Sequence, residues 1–250
     1  PMSPTAPLHN TSITSFDVKS DGSLVLARFN DDTHLDPDHV DVPDFLRDAR
    51  RLRLIRHGQS TGNPTGVWEG SGGEGLTAVG MAQAARLAEA LDVSAVFSSD
   101  APRARATAES LAPQVSVEPG LRELDPGSWE GLTFDELVAA DPSLAARIYR
   151  HREDLPRGGD GETWEALAQR MRSTVDGIVG RSDGDVTVVS HGSAIRAYLL
   201  DLMGLGWEEQ PRLATMPNTG LAEVLVLDGT TRLNAYGLAP WLGDAVAPGR

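Results

Sequence analysis

Residues 52–58 read Leu-Arg-Leu-Ile-Arg-His-Gly, and this stretch decides how the rest of the chain is interpreted. Its first four residues have the composition of a short buried strand, and Arg56-His57-Gly58 follows directly at the predicted strand end. Residues 186–189 form a second strand of this kind, and it also ends in a histidine and a glycine, His191-Gly192. Two strands that both end in His-Gly suggest that two imidazoles face one ligand.

Two more apolar segments, 95–97 and 115–117, complete a set of four predicted strands, and predicted helices lie between them. The candidate helix caps and first-turn residues are Thr77, Pro102, Thr133 and the pair Asp141-Pro142. The first helix has apolar residues at helical spacing, namely Met81, Ala84, Ala85, Ala88 and Leu91. The alternation predicts an α/β fold, a three-layer α/β/α sandwich with a mostly parallel central sheet. Ligands of such sheets bind beyond the carboxyl ends of the strands, where the polar residues of this chain cluster.

The amino-terminal segment echoes the carboxy-terminal one. Residues 9–26 and 217–236 share an Asn-Thr pair, alternating apolar residues and an Asp-Gly turn, so each predicts a β-hairpin. Residues 33–50 are rich in Asp, Pro and His and are interpreted as a linker. We therefore predict an N-terminal extension over 1–48, a β-hairpin plus linker, ahead of a catalytic domain over 49–250. The extension is expected to add strands to a sheet edge, within the chain or across a homodimer.

Composition excludes several classes of partner. The chain has 250 residues, a formal net charge of -14 and no cysteine. Nucleic acids and anionic membranes reward clustered Lys and Arg, so neither is expected as a partner. No apolar run reaches the length of a membrane span, and we expect a cytoplasmic protein. Spacings typical of a zinc site are missing from the sequence, so no metal is predicted.

His57 is the candidate nucleophile. A histidine that accepts a phosphoryl group must be neutral at the attacking nitrogen, while its other ring nitrogen donates to a fixed acceptor. Gly58 lets the backbone approach a phosphate closely, and Arg56 offers an always-charged fork to its oxygens. The alternative is a partly buried, hydrogen-bonded histidine in a tripeptide that occurs by chance.

Further basic residues fit the same anion. Arg103 lies near the start of the helix that Pro102 opens, where free N–H groups favour an anion; otherwise it is a surface arginine. Arg105 is spaced from Glu109 for a surface ion pair. His191 would stabilise the phosphoryl oxygens in transit. The remaining histidines, His9, His34, His39 and His151, are expected to be solvated.

Polar groups nearby leave alternatives open. Asn63, six residues after His57, could bond the phosphate, hold the intervening loop or serve as an ordinary turn residue. Glu123 is the candidate general acid, because a leaving alkoxide needs a proton. Asp125 and Glu130 are competitors, and a solvated carboxylate is the alternative for each.

Taken together, these motifs resemble the histidine phosphatase, or phosphoglycerate-mutase-like, superfamily. The matching residues are Leu54-Ile55-Arg56-His57-Gly58-Gln59-Ser60 with Asn63, Leu76-Thr77 with Gly80, Ser98-Ser99 with Arg103, Glu123 to Gly131, Gly161-Glu162 and Val189-Ser190-His191-Gly192. The resemblance covers roughly residues 50 to 240. It implies His57 as nucleophile, a phosphate pocket completed by Arg56, Arg103 and His191, and Glu123 as proton donor. It also implies phosphate contacts from Ser60, Asn63 and Gly192, and no metal or organic cofactor.

The function that this resemblance implies is hydrolysis of a small phosphomonoester through a phosphohistidine on His57. Residues 124–131, Leu-Asp-Pro-Gly-Ser-Trp-Glu-Gly, are similar to the phosphatase branch and differ from the Arg-His-Tyr-Gly-like string of the mutases. The alternatives are a phosphoglycerate mutase and a catalytically inactive phospho-ligand-binding module. One departure from the family is Gly75, which stands before Leu76 where an acidic residue is usual and closes a glycine-rich loop over 70–75.

Overall fold

The computed structural model describes residues 4–9, 12–34 and 48–245. The strands are β1 (Ile13–Val18), β2 (Leu24–Asp31), β3 (Arg50–Arg56), β4 (Ala95–Ser98), β5 (Ser116–Val117), β6 (Val186–Ser190), β7 (Leu221–Leu227) and β8 (Thr230–Leu238). The α-helices are α1 (Ala78–Ala90), α2 (Pro102–Leu111), α3 (Phe134–Ala140), α4 (Pro142–Ala145), α5 (Trp164–Gly180) and α6 (Gly192–Leu202). A π-helical turn, Ala146–Arg150, follows α4. No helix in this described part of the chain combines the length and apolar character needed to cross a bilayer.

The eight strands form one sheet in the order β1-β2-β8-β7-β3-β6-β4-β5. The four strands from β3 to β5 are parallel, while β7, β8 and the N-terminal hairpin continue the sheet with antiparallel pairs. The register places Arg56 at the end of β3 opposite Ser190 at the end of β6. Because parallel strands end at the same edge, the residues that follow them, His57 and His191, become neighbours.

Two apolar layers cover the sheet, which confirms the predicted α/β/α sandwich. Leu54 and Val188 pack into the core beneath α5 and α6, whereas Ile55 and Val189 pack against α1 and α2. Successive side chains of a strand point to opposite faces, so strands buried on both sides read as continuous apolar runs.

The predicted caps are confirmed: Thr77, Thr133 and Asp141 each accept a backbone N–H in the first turn of α1, α3 and α4. The apolar spacing noted for α1 matches its buried face only in part. Met81 is 53% exposed, and α1 buries Gly80, Ala84 and Leu87 instead. The reason is the close approach of α1 to the loop after β3, where a Cβ on Gly80 would collide with the Gln59 carbonyl. Gly80, Ala84 and Leu87 therefore lie on the packed face of α1, whereas Met81 lies on the exposed face.

The N-terminal segment forms a hairpin, β1–β2, that joins the sheet within this chain. Strand β2 pairs with β8 at Phe29 and Tyr236, and Asn30 Nδ2 donates to the Asn234 carbonyl over 3.0 Å. The predicted sheet-edge addition is therefore present inside one molecule. Most of the predicted linker, residues 35–47, lies outside the described residues. The division into two domains at 48/49 and a homodimer both stay predictions.

Of the three histidines outside the site that the structure describes, two follow the prediction and one does not. His34 and His151 are exposed, and His39 lies outside the described residues. His9 is only 10% exposed, and its Nδ1 lies 2.5 Å from Asp32 Oδ2. The prediction that His9 is solvated was wrong, because the N-terminal residues run along β8 and carry His9 to the end of β2.

Candidate active site

A cavity of about 580 Å³ opens beyond the carboxyl ends of the parallel strands. Six of the predicted site residues line it directly: they are Arg56, His57, Asn63, Arg103, Glu123 and Gly192, the first residue of α6. His191 lies behind His57, with the two ring centroids 5.1 Å apart at an angle of 63°. The structure thus brings together side chains that are up to 135 positions apart in the chain, as for Arg56 and His191.

His57 is held in one orientation. Its backbone N–H donates to the Ser190 carbonyl over 3.0 Å, and its ring Nδ1 lies 2.7 Å from the Gly58 carbonyl. A carbonyl only accepts, so Nδ1 carries the proton, and Nε2 accepts from Arg103 Nε over 3.2 Å. This is the tautomer that a nucleophilic Nε2 requires.

The charge state of His57 also suits a nucleophile. Only 3% of the residue is exposed, and burial, followed by the positive charges of Arg103 and Arg56, holds its pKa well below 6.5. Burial and the same two arginines lower the pKa of His191 as well. Both imidazoles are therefore neutral at pH 7 in the free protein.

His191 caps the start of α6 and is fully buried. Its Nε2 lies 2.9 Å from the Ser99 hydroxyl, and its Nδ1 has no hydrogen-bond partner among the described residues. Polar atoms buried without a partner are rare in native proteins and mark places where a ligand can bind.

The two arginines approach His57 from different elements. Arg103, in the first turn of α2, donates from Nη1 to the Gly72 carbonyl and from Nη2 to the Gly70 carbonyl, each over 2.6 Å. Arg56 donates from Nη1 to the Met216 carbonyl over 2.6 Å, and its buried Nε has no partner among the described residues. Both guanidinium groups are thus fixed by backbone carbonyls beside the imidazole.

Glu123 lies in the cavity wall at the amino end of α6. Its carboxylate accepts N–H bonds from Leu124, Ser193 and Ala194 over 2.8–3.1 Å. The competing carboxylates do not line this cavity. Asp125 is exposed and accepts from the Gly127 N–H, and Glu130 is exposed beside the glycine-rich loop.

Asn63 and Ser60 hold the loop that follows His57. Asn63 Oδ1 accepts from the Ser60 N–H over 3.1 Å and from Asn218 Nδ2 over 2.9 Å. The same Asn218 amide donates to the His57 carbonyl over 3.0 Å. Ser60 is buried outside the cavity lining, and its hydroxyl donates to Glu69. Of the two, only Asn63 faces the cavity, so phosphate contact by Ser60 stays a prediction.

Several residues that line the cavity were not identified from the sequence. Glu69 accepts from the Gly62 N–H over 3.1 Å, and its Oε2 lies 3.9 Å from Arg103 Nε. The same cavity is also lined by a set of aromatic and basic side chains, Trp68, Tyr149, Arg157, Trp164, Arg196 and Trp207. The signal for Glu69 was its position just before the glycine-rich loop. The aromatic residues carry no local motif.

A neutral, tautomerically fixed imidazole between two guanidinium groups, at the carboxyl edge of an α/β/α sheet, defines an enzyme site for an anionic group. The sequence profile of the histidine phosphatase superfamily (branch 1) matches residues 52–238. The chain belongs to this superfamily.

Individual relatives agree with this assignment. The chain is similar to a metal-independent phosphoserine phosphatase of Arabidopsis thaliana, with 35% identity over 163 residues, 61% of this chain and 68% of that protein. The native structure of the mycobacterial glucosyl-3-phosphoglycerate phosphatase Rv2419c superposes with a TM-score of 0.67 at 29% identity, covering 76% of this chain and 99% of that one. The bifunctional protein Rv2228c of Mycobacterium tuberculosis is 39% identical over 158 residues, 60% of this chain, but the match spans only 43% of that protein. The family and these names support a phosphatase.

Proposed function

We propose that this protein hydrolyses a small phosphorylated metabolite through a covalent phosphohistidine on His57. The observation that supports the proposal most directly is the state of His57 Nε2, an unprotonated nitrogen beside two guanidinium groups in an open cavity. The names of two relatives contain phosphoserine and glucosyl-3-phosphoglycerate, and both compounds are small phosphorylated metabolites.

In the first step, His57 Nε2 attacks phosphorus, an N–P bond forms, and the bond from phosphorus to the ester oxygen breaks. Glu123 gives its proton to the departing alkoxide, which leaves as an alcohol. Arg56 and Arg103 neutralise the phosphoryl oxygens, and their charge is already in position before the reaction begins.

In the second step, water attacks phosphorus and the N–P bond breaks, so that His57 recovers its electron pair. Glu123 accepts the proton of the attacking water. The products are inorganic phosphate and the regenerated enzyme. Besides the substrate and water, these two steps use only side chains of the chain itself.

The hydrogen bond from Arg103 Nε to His57 Nε2 occupies the lone pair of the nucleophile in the free enzyme. An incoming phosphoryl oxygen is a stronger acceptor for that guanidinium than a neutral imidazole. Substrate binding therefore frees Nε2 at the moment when phosphorus comes within reach.

The test is steady-state turnover of p-nitrophenyl phosphate and of a panel of metabolite phosphates, with trapping of acid-labile phosphate on the protein. We expect turnover and trapping in the wild type, and loss of both in His57→Ala. The matched control is His151→Ala, which changes an exposed histidine and should leave turnover intact.

Other outcomes would replace the proposal. Transfer of the phosphoryl group to a second phosphoglycerate, with little release to water, would show a mutase. Tight phospho-ligand binding without turnover of any phosphomonoester would show a binding module.

A further inference from the structure

One part of the cavity wall holds a group of buried hydrogen-bond donors, which we name the distal donor cluster: Tyr149, Arg157, Trp164 and Trp207. All four line the cavity that contains His57. The Nε1 atoms of both tryptophans are buried and have no hydrogen-bond partner among the described residues. The Tyr149 hydroxyl and Arg157 Nε and Nη2 are also buried, and among the described residues they have no partner outside the Tyr149–Arg157 pair itself. Such a concentration of unpartnered donors is unusual in a folded protein.

Arg157 is the centre of this cluster. The residue is 0% exposed, and its Nη1 donates to the Asp154 carboxylate over 2.8 Å and to the Leu155 carbonyl over 2.6 Å. Its guanidinium also faces the Tyr149 hydroxyl. Its guanidinium carbon lies 4.3 Å from the centroid of the Trp207 ring. The side chain is therefore fixed on one edge and on one face, while no carbonyl or carboxylate of the described residues accepts from its Nε and Nη2.

The backbone around the cluster departs from regular geometry. Tyr149 lies in the π-helical turn after α4, and Arg152, just beyond it, has φ of +60°. The Arg152 guanidinium carbon lies 4.1 Å from the same Trp207 ring. Single π-helical turns and left-handed non-glycine residues concentrate at binding sites, because the rest of the fold must stabilise them.

The chemistry of the cluster selects its ligand. Arg and Trp side chains can only donate, so the matching group is one that only accepts. A sugar face would offer hydroxyl donors for which this cluster has no set of acceptors, whereas a carboxylate offers about four acceptor sites and no donor. Four arginines but only two glutamates line the whole cavity, in a chain whose net charge is -14.

We propose that the distal donor cluster binds a carboxylate of the substrate, separate from the phosphoryl group at His57. The inference rests on the proposed function and narrows it to phosphomonoesters of small carboxylic acids. Arg157 is then the main specificity residue, and Tyr149 a second one.

The test compares substrates that differ only in the acid group. The pairs are 3-phosphoglycerate with glycerol 3-phosphate, and O-phosphoserine with O-phosphoethanolamine. We expect the wild-type kcat/KM to favour the acid of each pair by at least about 10-fold, the value of one charge-assisted hydrogen bond to a buried donor. Arg157→Gln should abolish this ratio, and Tyr149→Phe should reduce it several-fold.

The matched control is Arg147→Gln, which removes an exposed arginine of the same segment that pairs with Glu153. It should retain the full ratio. If the buried Arg157→Gln variant fails to fold, as judged by circular dichroism, Tyr149→Phe decides the question, since it removes a single oxygen atom.

Three results would overturn the inference. One is equal kcat/KM for acid and neutral partners in the wild type, and another is an unchanged ratio in Tyr149→Phe and folded Arg157→Gln. The third is a preference for fructose 1,6-bisphosphate over both fructose 6-phosphate and the carboxylates, which would assign the cluster to a second phosphoryl group.

Failure of the proposed function is distinguishable from failure of this inference. If no phosphomonoester is hydrolysed, calorimetric titration of the protein with 3-phosphoglycerate and glycerol 3-phosphate still measures whether the cluster binds a carboxylate. If the wild type binds 3-phosphoglycerate more tightly than glycerol 3-phosphate, and Arg157→Gln abolishes this difference, the proposed carboxylate site is supported. Equal binding of the two compounds by the wild type would overturn it.

Discussion

Neutral buried histidines should make this protein less stable in mild acid. His57 and His191 both have a pKa well below 6.5 in the folded protein, because burial and the neighbouring arginines oppose a positive charge on either ring. In the unfolded chain each histidine returns to about 6.5. Below that pH the two histidines bind protons in the unfolded state but stay neutral in the folded state. The two neutral histidines therefore do not reduce the free energy of unfolding above pH 6.5, and this free energy decreases as the pH falls from 6.5 towards their pKa values in the folded protein.

The magnitude follows from proton linkage. For one histidine, lowering the pH from about 7.5 to about 5.5 stabilises the unfolded state by about 1.4 kcal/mol when the folded state stays neutral. For two histidines the expected loss is about 2.7 kcal/mol. We expect His57→Gln and His191→Gln each to remove about half of this pH-dependent difference, and the double variant to remove all of it.

Urea unfolding followed by tryptophan fluorescence provides the assay, since Trp129 and Trp164 are buried and report on unfolding. The buffers must be free of phosphate, because ligand binding would add its own stabilisation. His151→Gln, at an exposed position, serves as the control. Carboxylates are the same in every variant and cancel in the comparison. A double variant that keeps the wild-type difference between the two pH values would refute the reasoning.

Three further predictions concern catalysis, packing and the N-terminal extension. Glu123→Gln should lower kcat for an alkyl phosphate by about 10²- to 10⁴-fold but change p-nitrophenyl phosphate turnover far less, because nitrophenolate leaves without a proton. Gly80→Ala should cost about 1–3 kcal/mol in urea unfolding, since the added methyl group meets the Gln59 carbonyl. Deletion of residues 2–45 should lower the melting temperature and promote association in light scattering, because it uncovers the edge of β8.

Each of these has a clear contrary result. Equal losses on the alkyl and nitrophenyl esters would remove Glu123 as proton donor. Gly180→Ala, at a helix end with open space around it, is the packing control and should be neutral or stabilising by up to about 1 kcal/mol. A Gly80→Ala cost no larger than that of Gly180→Ala would contradict the close approach. A deletion variant with unchanged melting temperature, activity and association state would show that the hairpin has no part in the fold.

Much of the site was predictable because it lies at the ends of parallel strands. His57 and His191 each follow a short buried strand, and adjacent parallel strands bring such residues together whatever the intervening sequence. Arg103 was identifiable by its place in the first turn of α2. Residue patterns alone did not choose among Glu123, Asp125 and Glu130, because this irregular segment has no periodicity that tells an inward side chain from an outward one; only the family resemblance favoured Glu123.

The sequence by itself determined the kind of chemistry: the histidine–glycine strand ends, the arginines beside them, and the alternating strands and helices that bring them to one edge. Tertiary structure alone decided the proton position on His57, the place of Glu123 in the cavity wall and the cluster around Arg157. These depend on contacts between distant segments, such as Arg103 with His57 and Glu123 with the amino end of α6. Strand order and helical period are properties of local sequence, whereas a hydrogen bond across 46 or 71 residues is a property of packing.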